Sequence, residues 1–202
     1  MKNITTQEAI GFLKAIPGEK SVAITTVGGT MGNDGVVYGG KEYKVRRKVY
    51  YIAGLAANLP SDRKLIQQKT DKEEAITNFD GGNKLNAGKN LLVVGLRMLF
   101  DITATVTPQT ATWLSAAPAN FKNGELKISQ QGEGDLFDNP ILPFSKYNAS
   151  IATEDEFQAV VPFLIRPNVQ FDITVLLAGE TAADQAYRLE LDCVELIEAD
   201  KA

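Results

Sequence analysis

Most of the residue types that do chemistry are missing or alone in this chain of 202 residues, which has no histidine and one cysteine. Imidazole is the side chain whose ordinary pKa lies nearest physiological pH, so general acid–base catalysis, nucleophile activation and zinc or iron binding usually recruit it. Cys193 has no imidazole to activate it and falls on the apolar phase of an alternating run, which suits a small core side chain. Carboxylate-only chemistry remains open in principle, because two acids at a fixed separation suffice for glycoside hydrolysis. No pair of the chain's acids stands out by spacing. Four glycines in residues 28–35 could cradle a phosphate. That chemistry needs a Gly-Lys-Ser/Thr run opening a helix, and here the chain runs into Val36-Val37-Tyr38. The alternating oxygen ligands of a calcium loop are also missing around Asp34. The expectation is a protein with no catalytic centre, no metal and no cofactor.

The second group with chemical potential is basic. Lys41, Lys44, Arg46, Arg47 and Lys48 put five cations into eight residues, against a chain net charge of −4 and a pI near 5.0. The bland reading is a solvated strand face. The sharper one is an electrostatic contact with an acidic neighbour or with nucleic acid. An acidic chain lacks the broad positive field of a nonspecific nucleic-acid binder, so no specific nucleic-acid recognition is expected.

The elements that must position these residues read mainly as strands. Val169, Phe171, Ile173, Val175 and Leu177 alternate with polar residues. Tyr187, Leu189, Leu191 and Cys193 alternate with Arg188, Glu190 and Asp192. Period two with one charged phase predicts closing strands that pack one face and wet the other, so exchanging Asp172 or Glu190 should cost little. Residues 36–57 read as a hairpin across Gly39-Gly40, with Tyr43, Val45, Val49 and Tyr51 in one phase. Leu91 to Phe100 is apolar on both phases except Gly95 and Arg97, as a central strand covered on both faces should be. Residues 58–90 are polar, with a turn of helix expected over Lys64 to Gln68.

Two segments carry more apolar surface than a single sandwich needs. Thr5 and Glu8 form a capping box, and Ile10, Phe12, Leu13 and Ile16 give the following helix an apolar face up to Pro17-Gly18. Leu136, Phe137, Ile141, Leu142, Phe144 and Tyr147 are interleaved with Pro140 and Pro143. That composition reads as neither strand nor helix, yet is too apolar to stay in water. Each segment either lies on the chain's own sandwich, the default reading, or is a contact with a second copy of the chain.

A chain of this size with 44% apolar residues buries roughly 70% of its unfolded surface, enough for one β-domain with an appendage. The expected layout is an N-terminal helical arm over 1–18 and a single β-sandwich over 19–202, all-β and mainly antiparallel. Short sequential strands with long connections favour a jelly-roll or related Greek-key order. No apolar signal core or stretch of membrane-spanning length is present, which places synthesis in a cytoplasm.

Leu164-Ile165-Arg166-Pro167-Asn168-Val169-Gln170-Phe171-Asp172-Ile173-Thr174-Val175, followed by Tyr187 to Leu196, resembles bacteriophage virion proteins of jelly-roll type. Asn86 to Arg97 looks like an opening strand of the same domain. The resemblance covers residues 85–197 and is one of pattern. It implies a self-assembling capsid or capsid-associated subunit, at a vertex or as decoration, found in the virion with itself and other virion proteins as partners. It carries over no catalytic residues. A carbohydrate-binding, lectin-like sandwich using Trp113 with Tyr50 or Tyr147 is the alternative, and a carboxylate-only glycosidase stands behind it.

Overall fold

The computed structural model describes residues 5–13, 23–26, 34–59, 62–68, 70–145, 157–179 and 184–199. Among the described residues a short helix α1 (Thr6–Leu13) precedes nine strands. They are β1 (Ala23–Thr26), β2 (Asp34–Tyr38), β3 (Lys41–Leu55), β4 (Lys89–Asp101), β5 (Glu125–Gln130), β6 (Gly134–Pro140), β7 (Gln158–Ile165), β8 (Phe171–Leu176) and β9 (Ala186–Glu198), with a single-turn helix α2 (Ala119–Lys122) before β5. All named pairings are antiparallel. The large sheet runs β1-β2-β3-β9-β4-β7 and the small one β6-β5-β8. The chain is an all-β, antiparallel sandwich.

The strand order is more specific than that. Between β3 and β4 the chain crosses to the small sheet, where Lys64 bridges Thr174 of β8. The Leu65 N–H donates to the Ile173 carbonyl, and the Val175 N–H to that of Arg63. Counting residues 63–65 as a short second strand and starting at β3, the large sheet reads one-eight-three-six and the small one two-seven-four-five. Such an eight-strand wrap is the jelly roll. The helix expected over Lys64 to Gln68 is not there, because this stretch must supply backbone groups to the open edge of β8.

The two closing strands separate into different sheets. β8 lies in the small sheet, whereas β9 occupies the middle of the large one between β3 and β4. Their apolar phases face each other across the sandwich. Phe171, Ile173 and Val175 of β8 meet Leu189, Leu191 and Cys193 of β9 in one core with Tyr50, Ile52, Leu91, Val93, Leu96, Met98 and Phe100. Aromatic contacts run through it from Tyr50 to Phe79 at 4.8 Å and from Phe79 to Phe171 at 5.7 Å between ring centroids.

The outer face of the large sheet carries a second, smaller core. There Ala9, Ile10 and Leu13 of α1 pack on Val36, Tyr38, Tyr43, Leu92, Val94, Leu164, Val194 and Leu196. The capping box is formed: the Thr5 N–H donates to Glu8 Oε2 at 2.8 Å and the Glu8 N–H to Thr5 Oγ1 at 3.2 Å. A helix of eight residues is marginal alone, so this packing is what holds it. Residues 14–16, the rest of the expected helix, lie outside the described residues.

A bulge in β4 explains why that strand is apolar on both phases. The register shifts between Val93 and Gly95, so Leu91 and Val93 point into the main core before it, and Leu96, Met98 and Phe100 after it. Leu92 and Val94 serve the core under α1. A Cβ at Gly95 would stand 3.0 Å from the Cβ of Phe157, so the glycine makes room for that side chain.

Candidate functional site

The proline-broken segment is more regular than its composition suggests. Leu136 and Phe137 belong to β6, an edge strand that ends at Pro140, where a missing N–H costs no ladder bond. Ile141 and Phe144 are buried in the main core, and Leu142, half exposed, opens a single 3-10 turn, Leu142–Phe144. Tyr147 lies outside the described residues. Of the candidate contacts on α1, Ile10 and Leu13 are buried under the helix and Phe12 is exposed. Of the two readings of these segments, packing on the chain's own sheets accounts for Ile10, Leu13, Ile141 and Phe144.

What remains is a groove of about 430 Å³ between the facing edge strands β6 and β7. Its walls include Leu136, Phe137, Phe144, Val160, Val161 and Phe163, and Asp135, Asp138, Asn139 and Gln158 supply polar groups. Phe137 holds the apolar side together, with ring centroids 6.0 Å from Phe144 and 5.9 Å from Phe163. Between the Val93–Phe163 and Gly95–Ala159 pairs the β4–β7 ladder is interrupted. There Val161 stands 85% exposed. Pro162 and the acids of β6 oppose the addition of another strand to either edge. A partner would engage side chains here, not extend a sheet.

The basic run on β3 is divided by the alternation of the strand. Lys41 pairs with Glu198 at 2.7 Å. Arg47 points to the outer face and forms a two-bond pair with Asp192. Arg46 and Lys48 share the inner face with Tyr50, while Lys44 is exposed on the same phase. Arg46 bonds Glu195, its direct cross-strand neighbour. Thus Lys41, Lys44, Arg46, Arg47 and Lys48 do not form one patch, because two faces and their own carboxylates divide them.

Glu195 is the centre of the inner-face group, fully buried at the end of the main core. It accepts from Tyr50 Oη at 2.5 Å, from Lys89 Nζ at 3.0 Å and from Arg46. Burial alone would push its carboxyl up, but the Arg46, Tyr50 and Lys89 bonds hold it down at about 2. Tyr50 moves the other way: burial and the neighbouring carboxylate raise its phenol above the ordinary range. Lys48 lies 4.7 Å above the Tyr50 ring and Lys89 lies 5.3 Å from it. Burial, together with Lys89, Arg46 and Lys72, lowers the Lys48 ammonium despite the attraction of Glu195.

The phase read as wet on β9 is not wet. Glu190 and Asp192 are each 5% exposed. Glu190 accepts from Arg97 at 2.6 Å and from Arg188 at 2.6 Å. Arg188 in turn covers the Tyr51 ring at 3.9 Å, and Arg97 covers Phe157 at 4.7 Å. Alternation of charge along a strand marks which residues share a face. It does not say whether arginines from neighbouring strands will roof that face. Asp172, bonded to Lys64 at 3.1 Å, is the member of the pair that remains partly exposed.

No family model, curated protein or solved structure matches the chain. Function must therefore be argued from this geometry. Tyr50, one proposed partner of Trp113 in a sugar-binding platform, is buried in the core and unavailable to a ligand. Trp113 itself is half-buried in the loop after β4, at a positive φ of 62°. Cys193 is fully buried and burial raises its thiol, the opposite of an activated nucleophile. Among the described residues no group of three or more His, Cys, Asp or Glu side chains is placed to hold a metal, and no helix is long and apolar enough to cross a membrane.

Proposed function

We propose that the chain is a self-assembling structural subunit of a bacteriophage particle, a capsid or capsid-associated protein. The observation that carries the reading is the eight-strand jelly-roll order, an architecture that capsid domains use. The same architecture also serves lectins and cupins. The resemblance to virion proteins in the strands that complete the wrap, residues 164–175 and 187–196, supports the reading. The groove between β6 and β7, with Val161 and Leu142 exposed beside it, is the surface offered to a second copy. Negative-stain imaging of purified protein tests the reading. Closed rings, shells or regular arrays are expected, and a field of single particles of monomer size would refute it.

A further inference from the structure

The cation group at the end of the inner face is larger than its one carboxylate needs. Arg46 uses Nε on Glu195, and its two amino groups make no hydrogen bond within the described residues. Lys89 gives one of three donors to the same carboxylate. Lys48 has no carboxylate within ion-pair distance among the described residues and rests on the Tyr50 ring. Two cations thus meet on one buried anion, and a third, Lys48, shares with Lys89 the ring of Tyr50, itself bonded to that anion. The arrangement is held by the fold: Arg46, Lys48 and Tyr50 share a phase of β3, Glu195 lies directly across from Arg46, and Lys89 opens β4.

We propose that this end of the sandwich binds an oxyanion, a phosphate group above all, between Arg46, Lys48 and Lys89. Two like charges brought together in partly desolvated surroundings repel, and an anion with several oxygens relieves that repulsion by accepting from all three side chains. Glu195 positions the site by fixing the guanidinium of Arg46 and the ammonium of Lys89, and does not itself contact the anion. Lys72 also bears on Lys48. Its own turn carries Asp71, Glu73 and Glu74, so it is not counted as part of the site. The phosphate could belong to a nucleic-acid backbone or be a free anion, and the two sources share this chemistry.

Thermal unfolding of the full chain in inorganic phosphate and in chloride at matched ionic strength tests the site. At tenfold the dissociation constant, phosphate should raise the Tm by about 3–6 °C relative to chloride. Lys48→Gln should abolish the difference, Lys48→Arg should retain it, and Lys122→Gln, an equal change of charge on α2, should leave it intact. A short single-stranded oligodeoxynucleotide is the second probe. Binding of the oligonucleotide alone, lost in Lys48→Gln, supports a backbone phosphate, and binding of inorganic phosphate alone supports a free anion. Equal shifts in phosphate and chloride with no binding of the oligonucleotide overturn the proposal. So does a response to either probe that survives Lys48→Gln. Circular dichroism of each variant separates loss of the site from loss of the fold.

Discussion

The outer face of the large sheet is buried in two different ways along a single strand. Toward the end of β9, Val194 and Leu196 lie under α1, an apolar contact of ordinary kind. A few residues earlier on the same phase, Glu190 and Asp192 are almost equally buried, but under Arg47, Arg97 and Arg188. The helix-covered region gains from removing apolar surface from water, roughly 25 cal/mol per Å². The arginine-covered region gains little on balance, since the cost of desolvating the carboxylates offsets much of the pairing energy. What it supplies is register: the Arg47–Asp192 and Arg97–Glu190 pairs are satisfied only when β3, β9 and β4 are aligned as they are, with Arg188 of β9 itself as a second donor to Glu190. Equal burial therefore does not mean equal stabilisation.

That contrast predicts how each region breaks. The largest effect is expected in the main core that both regions enclose, where Phe171→Ala should cost about 3–5 kcal/mol in denaturant unfolding. Beneath the helix, Leu13→Ala should cost about 2–4 kcal/mol by the same measurement. In the arginine-covered region, Glu190→Ala should cost about 3 kcal/mol, because Arg97 and Arg188 lose their shared acceptor. Replacing the pair together, Glu190→Leu with Arg97→Met, should recover most of that loss. A double variant as unstable as the single one would show that the pair contributes net energy and not alignment. The smallest effect is expected at Asp172→Asn, about 0.5 kcal/mol, because its contact with Lys64 is partly exposed.

Acid sharpens the comparison further. The Glu195 carboxyl sits at about 2 in the folded chain against an ordinary 4.5, so the unfolded chain binds its proton more readily. Its contribution is complete above the ordinary value and is lost as the pH falls from about 4.5 toward 2. Asp101 behaves alike: burial would raise it, but bonds from Thr103 and Thr112 hold it at about 2. Stability measured against pH should fall through this window, and Glu195→Gln should flatten part of the fall. An unchanged profile in that variant would show that Glu195 does not carry the acid response.

The fold was legible where pattern and physics coincide. The capping box, the apolar phases of β8 and β9 and the doubly covered β4 follow from periodicity. The jelly-roll order was legible only as a class, because its second strand is held by backbone contacts around Lys64 that leave no apolar alternation. The basic run was legible in its phases but not in its partners. Alternation already separates Arg47 from Lys44, Arg46 and Lys48 in a run of five cations over residues 41–48. The partners Glu195, Asp192 and Lys89 come from strands distant in the chain, and cross-strand register is invisible in composition. The β6–β7 groove was half visible, since the segment from Leu136 to Phe144 was identifiable, but its opposite wall on β7 was not.

Assembly is the proposed role, and sedimentation velocity of the full chain over a wide range of concentration reads it out. The expected result is concentration-dependent association that Val161→Asp with Leu142→Asp weakens by at least tenfold while circular dichroism stays unchanged. A wild-type chain that sediments as a monomer at every concentration would rule out self-assembly, and association untouched by the double substitution would rule out the β6–β7 groove as its surface.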